Sequence, residues 1–138
     1  MNKRYHNKSG FTLVEILISA LIFTLALGVL SSSLITALHL IEVSRDRTIA
    51  ISDLRDMMEE IRVTPFVDML SVFPNSMVDG PGGSSYQSIV GGYSLNNEQI
   101  VVTYAGMNSD PLEIMVNLSW LDKQGRAYGV SASTFKTR

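Results

Sequence analysis

The residues that could carry out catalysis are few and scattered in this sequence. The chain has no cysteine and two histidines, His6 and His39. A thiol nucleophile, a disulfide framework and a zinc site with cysteine ligands are therefore excluded. Neighbouring carboxylates such as Glu59 and Glu60 lie on a predicted helix face rather than in a cleft, and no serine hydrolase, zinc protease or nucleotide-binding motif is present. The sequence predicts no enzyme, no catalytic residue and no cofactor.

Binding sites for metal or nucleic acid are also not expected. Oxygen ligands suited to calcium are offered by a loose set of side chains: Asn96, Asn97, Asp110 and Asp122. These residues lack the regular spacing of an EF-hand loop, so we predict no metal site. The net charge of the chain is −2, and no basic stripe is present that would indicate a nucleic-acid partner.

One carboxylate, Glu15, has unusual surroundings. It is the first acidic residue of the chain, and residues 16–41 after it include no formally charged side chain. A carboxylate on a membrane helix costs about 2.5–3.5 kcal/mol at the bilayer centre and less near the interface, so it tends to find a partner. Two interpretations remain open at this point: a functional ion pair, or a residue of the first helical turn that interacts with the helix dipole.

The uncharged segment 16–41 is long enough to cross a membrane, because about 20 apolar helical residues span a bilayer core. Lys3, Arg4 and Lys8 precede it and Glu42 follows it, which predicts a cytoplasmic N-terminus and a C-terminal part on the other side. An ordinary secretory signal is the competing interpretation. Its apolar region would be shorter, about 7–15 residues, and would end at a small-residue cleavage site, for which residues 35–37 are a poor candidate.

The helix is predicted to continue beyond the membrane and to end near Arg62. Positions with the 3,4 spacing of an amphipathic helix form one stripe: Leu40, Val43, Arg47, Ala50, Leu54, Met57 and Ile61. The opposite face is predicted to be solvated and to carry the acidic residues Glu42, Asp46, Asp53, Asp56 and Glu60. Thr64-Pro65 ends the pattern, because proline disfavours a helical conformation in the residue before it.

The C-terminal third is predicted to form a small antiparallel sheet. Residues 100–104 are a short β-branched run, and residues 114–120 alternate apolar with polar side chains. Residues 122–125 are predicted to form a hairpin loop that leads into a strand over 128–135. The expected fold class is α+β, with one long N-terminal helix packed through its amphipathic half on this sheet.

The segment between helix and sheet, residues 65–98, is predicted to be linker-like. Its centre, residues 79–85, is rich in glycine, proline and serine, which favours turns. Residues 86–95 are a weaker strand candidate, since Gly91 and Gly92 interrupt them.

Taken together, the N-terminal residues resemble the class III signal sequence of type IV pilin-like proteins. The resemblance consists of a short basic leader ending in Gly10, Phe11 directly after it, the lone Glu15, and the uninterrupted apolar helix. It implies cleavage between Gly10 and Phe11 by a prepilin peptidase, followed by N-methylation of Phe11. It also implies that the apolar helices bundle in a filament core, where Glu15 pairs with the amine of Phe11 on an adjacent subunit.

The resemblance divides the chain into a leader peptide 1–10, a transmembrane and polymerisation half-helix 11–41, and a periplasmic globular domain 42–138. That domain includes the amphipathic half-helix 42–62. The apolar segment has no helix-kinking proline and the C-terminal part has no cysteine pair, which is more like a minor than a major subunit. The expected function is that of a minor pilin or type II secretion minor pseudopilin, in a tip or assembly-initiating complex.

The expected partners are other pilin or pseudopilin subunits, the prepilin peptidase and the inner-membrane assembly platform. The expected location is the bacterial inner membrane, with one membrane span, and then the pilus or pseudopilus. A second class of function remains open: a membrane-anchored periplasmic binding or adhesion domain that never polymerises.

Overall fold

The computed structural model describes residues 12–83, 85–106 and 109–138. The chain divides into two compact units at the boundary between Ile41 and Glu42. The elements are a helix α1 (Leu13–Val63), a 3₁₀ turn (Phe66–Asp68), a short helix α2 (Met69–Val72), and strands β1 (Val78–Asp79), β2 (Gln99–Ala105), β3 (Leu112–Leu121) and β4 (Ala127–Lys136). The long N-terminal helix and the antiparallel sheet confirm the predicted α+β fold class.

The part of α1 in the first unit exposes apolar side chains all around the helix. Its most apolar 18-residue window has a mean hydropathy of 2.5, and none of that window is buried. Hydroxyl side chains here bond to the backbone one turn earlier: Ser31 Oγ donates to the Leu27 carbonyl at 2.9 Å and Thr36 Oγ1 to the Ser32 carbonyl at 3.0 Å. Such internal bonds suit a lipid environment, which offers no other partner. By length and composition, this stretch could cross a membrane.

The second half of α1 buries one face against the sheet. The predicted stripe is correct at Ala50, Leu54, Met57 and Ile61, which are buried, and the helix ends at Val63, one residue beyond the predicted end. Leu40 and Arg47, also assigned to the stripe, are exposed.

The prediction that Asp53 lies on the solvated face is wrong. Its side chain is buried, with 6% of its surface exposed. Asp53 lies three residues after Ala50 and four before Met57, and residues with this spacing share one side of a helix. The face of α1 that packs against the sheet therefore includes a buried carboxyl group.

The sheet has the order β1-β2-β3-β4 with antiparallel pairing throughout. In β3 every second side chain is buried, in the series Leu112, Ile114, Val116, Leu118 and Trp120. This alternation places one face of the strand in the core shared with α1. The predicted hairpin between β3 and β4 is confirmed, and Gly125 adopts the left-handed φ of 78° that its turn requires.

Residues 65–98 are not a simple linker, and the strand predicted over 86–95 is absent. That segment forms turns, because Gly91 and Gly92 have left-handed φ values of 70° and 107°, which a regular strand does not accommodate. Apolar side chains from this region complete the core: Met69, Phe73, Tyr86, Val90 and Leu95.

Candidate functional site

The helix α1 begins with a capping arrangement made by Thr12 and Glu15. The Glu15 N–H lies 3.1 Å from the Thr12 carbonyl oxygen and 3.3 Å from Thr12 Oγ1. The Thr12 hydroxyl thus acts as an N-cap, because it accepts a hydrogen bond from an N–H group of the first turn that has no partner within the helix. Thr12 was not anticipated from the sequence as the residue that caps α1.

The carboxylate of Glu15 remains available for a partner. The side chain is exposed, and no residue within 12–83, 85–106 or 109–138 forms an ion pair or hydrogen bond with the carboxylate. The predicted processing residues Gly10 and Phe11 lie outside the described part of the chain. Of the three predicted site residues, the structure thus places Glu15 alone, in the first turn of α1.

A shallow apolar groove adjoins Glu15 on the surface of α1. Ile16, Ser19, Ala20 and Phe23 line it. Ser19 Oγ donates to the Glu15 carbonyl at 2.7 Å, so the hydroxyl group is already satisfied within the helix. Small residues at such positions allow a second helix to approach closely in a membrane. The first turns of α1 therefore combine a charge with a surface suited to helix packing.

Of the polar residues considered for calcium, Asn96 lies beside the end of β3, where its carbonyl accepts the Leu121 N–H at 2.9 Å. No group of three acidic or histidine side chains in the described structure could hold a metal ion. Asp122 instead closes the β3–β4 loop: its Oδ1 accepts the N–H groups of Gln124 and Arg126 at 2.9 and 2.8 Å, and its Oδ2 accepts Arg126 Nε at 2.7 Å. Burial opposes ionisation, but the bonds from Arg126 and Gln124 outweigh it and lower the pKa of Asp122.

A buried carboxyl pair, Asp53 and Glu98, was not anticipated from the sequence. Glu98 is fully buried, and its Oε2 accepts the N–H groups of Ser94 and Leu95, each at 3.1 Å. Burial, the charge of Glu98, a hydrogen bond with Glu98 and the charge of Asp56 raise the pKa of Asp53 to about 7. Asp53 Oδ2 and Glu98 Oε1 are buried and have no other hydrogen-bond partner in the described structure, and two carboxyl groups can bond to each other only when one of them carries a proton.

A second buried polar cluster centres on Asp79. Its Oδ2 accepts the Tyr86 N–H at 2.7 Å and a short hydrogen bond from the Tyr93 hydroxyl. Burial, followed by the charge of Asp79, raises the pKa of Tyr86 to about 12. Burial and the bond to Asp79 raise the pKa of Tyr93 above its ordinary value.

A third tyrosine, Tyr104, lies outside this cluster. Burial raises its pKa to about 12, and its hydroxyl donates to the Phe73 carbonyl at 2.7 Å.

The fold and the N-terminal helix together define a class of protein. A long helix with an exposed apolar first half and an amphipathic second half packs on an antiparallel sheet, an arrangement like that of pilins. A family model described as the prokaryotic N-terminal methylation motif matches residues 5–31. This match, over the N-terminal segment, supports the prediction of a type IV pilin-like protein with a class III signal sequence. No curated protein and no solved structure matches the chain significantly.

The motif match supports a subunit of a pilus or pseudopilus. It suggests a structural protein rather than an enzyme. A pilin-like protein associates with other pilin subunits and with the prepilin peptidase, and the apolar helix with its class III signal fits a single-pass inner-membrane anchor.

Proposed function

We propose that this chain is a minor pilin or minor pseudopilin that enters the tip or assembly-initiating complex of its filament. The observation that carries the proposal is the conjunction of the methylation motif over residues 5–31 with α1, whose exposed apolar first half leads into an amphipathic half packed on a sheet. The minor role is supported by the absence of proline from the apolar segment and of cysteine from the chain.

In this proposal a prepilin peptidase cleaves between Gly10 and Phe11, and the new amine of Phe11 is methylated. Gly10 suits this position, because the lack of a side chain lets the enzyme approach the backbone closely. The globular domain 42–138 then lies in the periplasm, while the half-helix 11–41 anchors the subunit in the inner membrane. The assembly platform in that membrane transfers the subunit into the filament.

Glu15 is the proposed assembly residue. Its exposed carboxylate in the first turn of α1 pairs with the Phe11 amine of an adjacent subunit. In the low dielectric of a helix bundle such a pair favours one register, and a subunit without its partner is disfavoured. The apolar groove beside Glu15 supplies the surface against which the neighbouring helix packs.

Co-expression with and without prepilin peptidase tests the processing step. We expect the mass of the chain to fall by that of residues 1–10 only when the peptidase is present, with Phe11 as the methylated N-terminus. Gly10→Val should block cleavage, whereas the matched variant Ser9→Val should be cleaved. Peptidase-independent cleavage at another position, or none, would favour the membrane-anchored domain that never polymerises.

A further inference from the structure

Strand β4 presents an unusually long and unprotected sheet edge. It runs from Ala127 to Lys136, and within the described residues no strand pairs with its outer side. The opposite edge of the sheet is the two-residue strand β1. Natural proteins shield long edges with charges, prolines or bulges, because unpaired N–H and C=O groups recruit other strands. Residues 127–135 contain neither a charged residue nor a proline.

The hairpin geometry shows which backbone groups of β4 point outward. Asp122 N–H donates to the Arg126 carbonyl at 2.9 Å, and Leu121 N–H donates away from β4 to the Asn96 carbonyl at 2.9 Å. In an antiparallel pair, residues that bond to the partner strand alternate with residues whose groups face away. Leu121 is paired with Ala127 in the register. The outward groups of β4 therefore belong to the odd-numbered positions: Ala127, Gly129, Ser131, Ser133 and Phe135.

The side chains of β4 are also covered less completely than those of β3. Tyr128, Val130 and Ala132 pack against the core but remain half-buried. Their partners in β3, Trp120, Leu118 and Val116, are buried. A fifth strand beside β4 would extend the sheet and cover this half-exposed row, as β4 itself covers the row on β3.

We propose that β4 is a docking edge that receives an extended segment of a different filament subunit by strand addition. An edge of unpaired backbone groups is complementary to an extended backbone, and residues 127–135 carry no charge that would repel it. This inference rests on the proposed function: a minor subunit in a tip complex has subunits of other kinds as its neighbours, so the chain that assembly brings to this edge is a different one.

Proline and alanine substitutions at the same position distinguish the contribution of the outward N–H to assembly from that of the side chain. Proline removes the N–H, and at an edge position it leaves the bonds to β3 intact. We expect Ser131→Pro and Ser133→Pro each to lower recovery in sheared filaments by about three- to tenfold, the effect of one lost hydrogen bond. Ser131→Ala and Ser133→Ala should be recovered like the wild type. Protease resistance of the membrane-inserted chain reports whether each variant folds.

Hydrogen exchange on the unmodified chain gives a second readout that needs no substitution. In the detergent-solubilised chain the outward amides of β4 should exchange rapidly and the inward amides slowly. In filaments the outward amides should become slow as well. Rapid exchange of the outward amides in both states would overturn the proposal. Slow exchange that appears when the purified chain alone is concentrated would also overturn it, because a second copy would then occupy the edge.

The controls distinguish failure of this inference from failure of the proposed function. If the unmodified chain is neither cleaved after Gly10 nor recovered in filaments, both the proposed function and the proposed pairing at the β4 edge are wrong. If the unmodified chain is recovered in filaments and protease-resistant proline variants are recovered equally well, only the proposed pairing at the β4 edge is wrong.

Discussion

Glu15 combines a local structural position with an exposed charge, and these two properties suggest different roles. Its N–H bonds with Thr12 are part of the helix start, and a glutamate in the first turn also interacts favourably with the helix dipole. The proposed ion pair needs the negative charge itself. Glutamine keeps the backbone N–H and nearly the size of the side chain but carries no charge, so it tests the charge alone.

We predict that Glu15→Gln and Glu15→Ala both insert into the membrane and both enter filaments poorly. The loss should be about tenfold or more, since removing one member of an ion pair leaves the other charge unpaired in a low dielectric. Filament recovery by immunoblotting, normalised to the membrane pool, measures the effect. If Glu15→Gln assembles normally, the charge-pair mechanism is wrong.

Asp53 is a residue whose proton contributes to stability. Its pKa in the folded chain is raised to about 7, whereas an aspartate in an unfolded chain has a pKa of about 3.9. The folded state therefore holds the proton more tightly. This contribution is fully present below about pH 4 and is lost as the pH rises through about 7. The charged groups that oppose ionisation are Glu98 and Asp56.

We predict that Asp53→Asn is more stable than the wild type at about pH 8 and that the difference shrinks towards about pH 5. The asparagine cannot ionise, and its amide can still donate to Glu98. The gain at the higher pH should be at most about 4 kcal/mol, the equivalent of a shift from about 4 to about 7. Denaturant unfolding of the detergent-solubilised chain at both pH values measures it. Glu59→Gln, at an exposed position of the same helix, is the control. If the free energy of unfolding changes equally between the two pH values for the wild type and both variants, the prediction is wrong.

At the scale of elements, the end of β4 is tied to the end of α1. Lys136 Nζ donates to the carbonyls of Ile61 at 2.9 Å and Arg62 at 3.0 Å, and makes a short bond with that of Thr64. The last carbonyls of a helix lack partners within the helix, and a cation there also interacts favourably with its dipole. Lys136 of β4 thus caps the C-terminal end of α1, which lies more than seventy residues earlier in the sequence.

We predict that Lys136→Met destabilises the globular domain by about 1–2 kcal/mol, because the carbonyls lose a charged donor. Lys123→Met is the matched control. Lys123 Nζ lies 2.5 Å from Glu42 Oε1, but its side chain is 77% exposed, so solvent screens the pair. Thermal unfolding in detergent should show a clear loss for Lys136→Met and a smaller one for Lys123→Met. Equal losses would show that Lys136 does not act as a helix cap.

At the scale of the whole molecule, the sequence predicted the elements whose signals are local. The apolar segment, the 3,4 stripe ending before Pro65 and the alternation in β3 each depend on the spacing of nearby residues. The burial of Asp53 depends on Glu98, far away in the sequence, and the packing of residues 65–98 depends on a surface that the sheet and helix create together. Those features were missed because no local pattern encodes them. Of the site, Glu15 was visible, whereas the cap on α1 and the edge of β4 became evident only with the structure.

The buried tyrosines have a consequence for handling the protein. Alkaline washing of membranes, at about pH 11, separates integral from peripheral proteins by disrupting surface interactions, and an ordinary tyrosine with a pKa of about 10 ionises there. Tyr86 and Tyr104 have pKa values raised to about 12, and that of Tyr93 is raised as well. At this pH the raised pKa values favour the protonated form of the three phenols. The hydrogen bonds from Tyr93 to Asp79 and from Tyr104 to Phe73 need those protons, so the raised pKa values favour a domain that stays folded while the membrane attachment is tested.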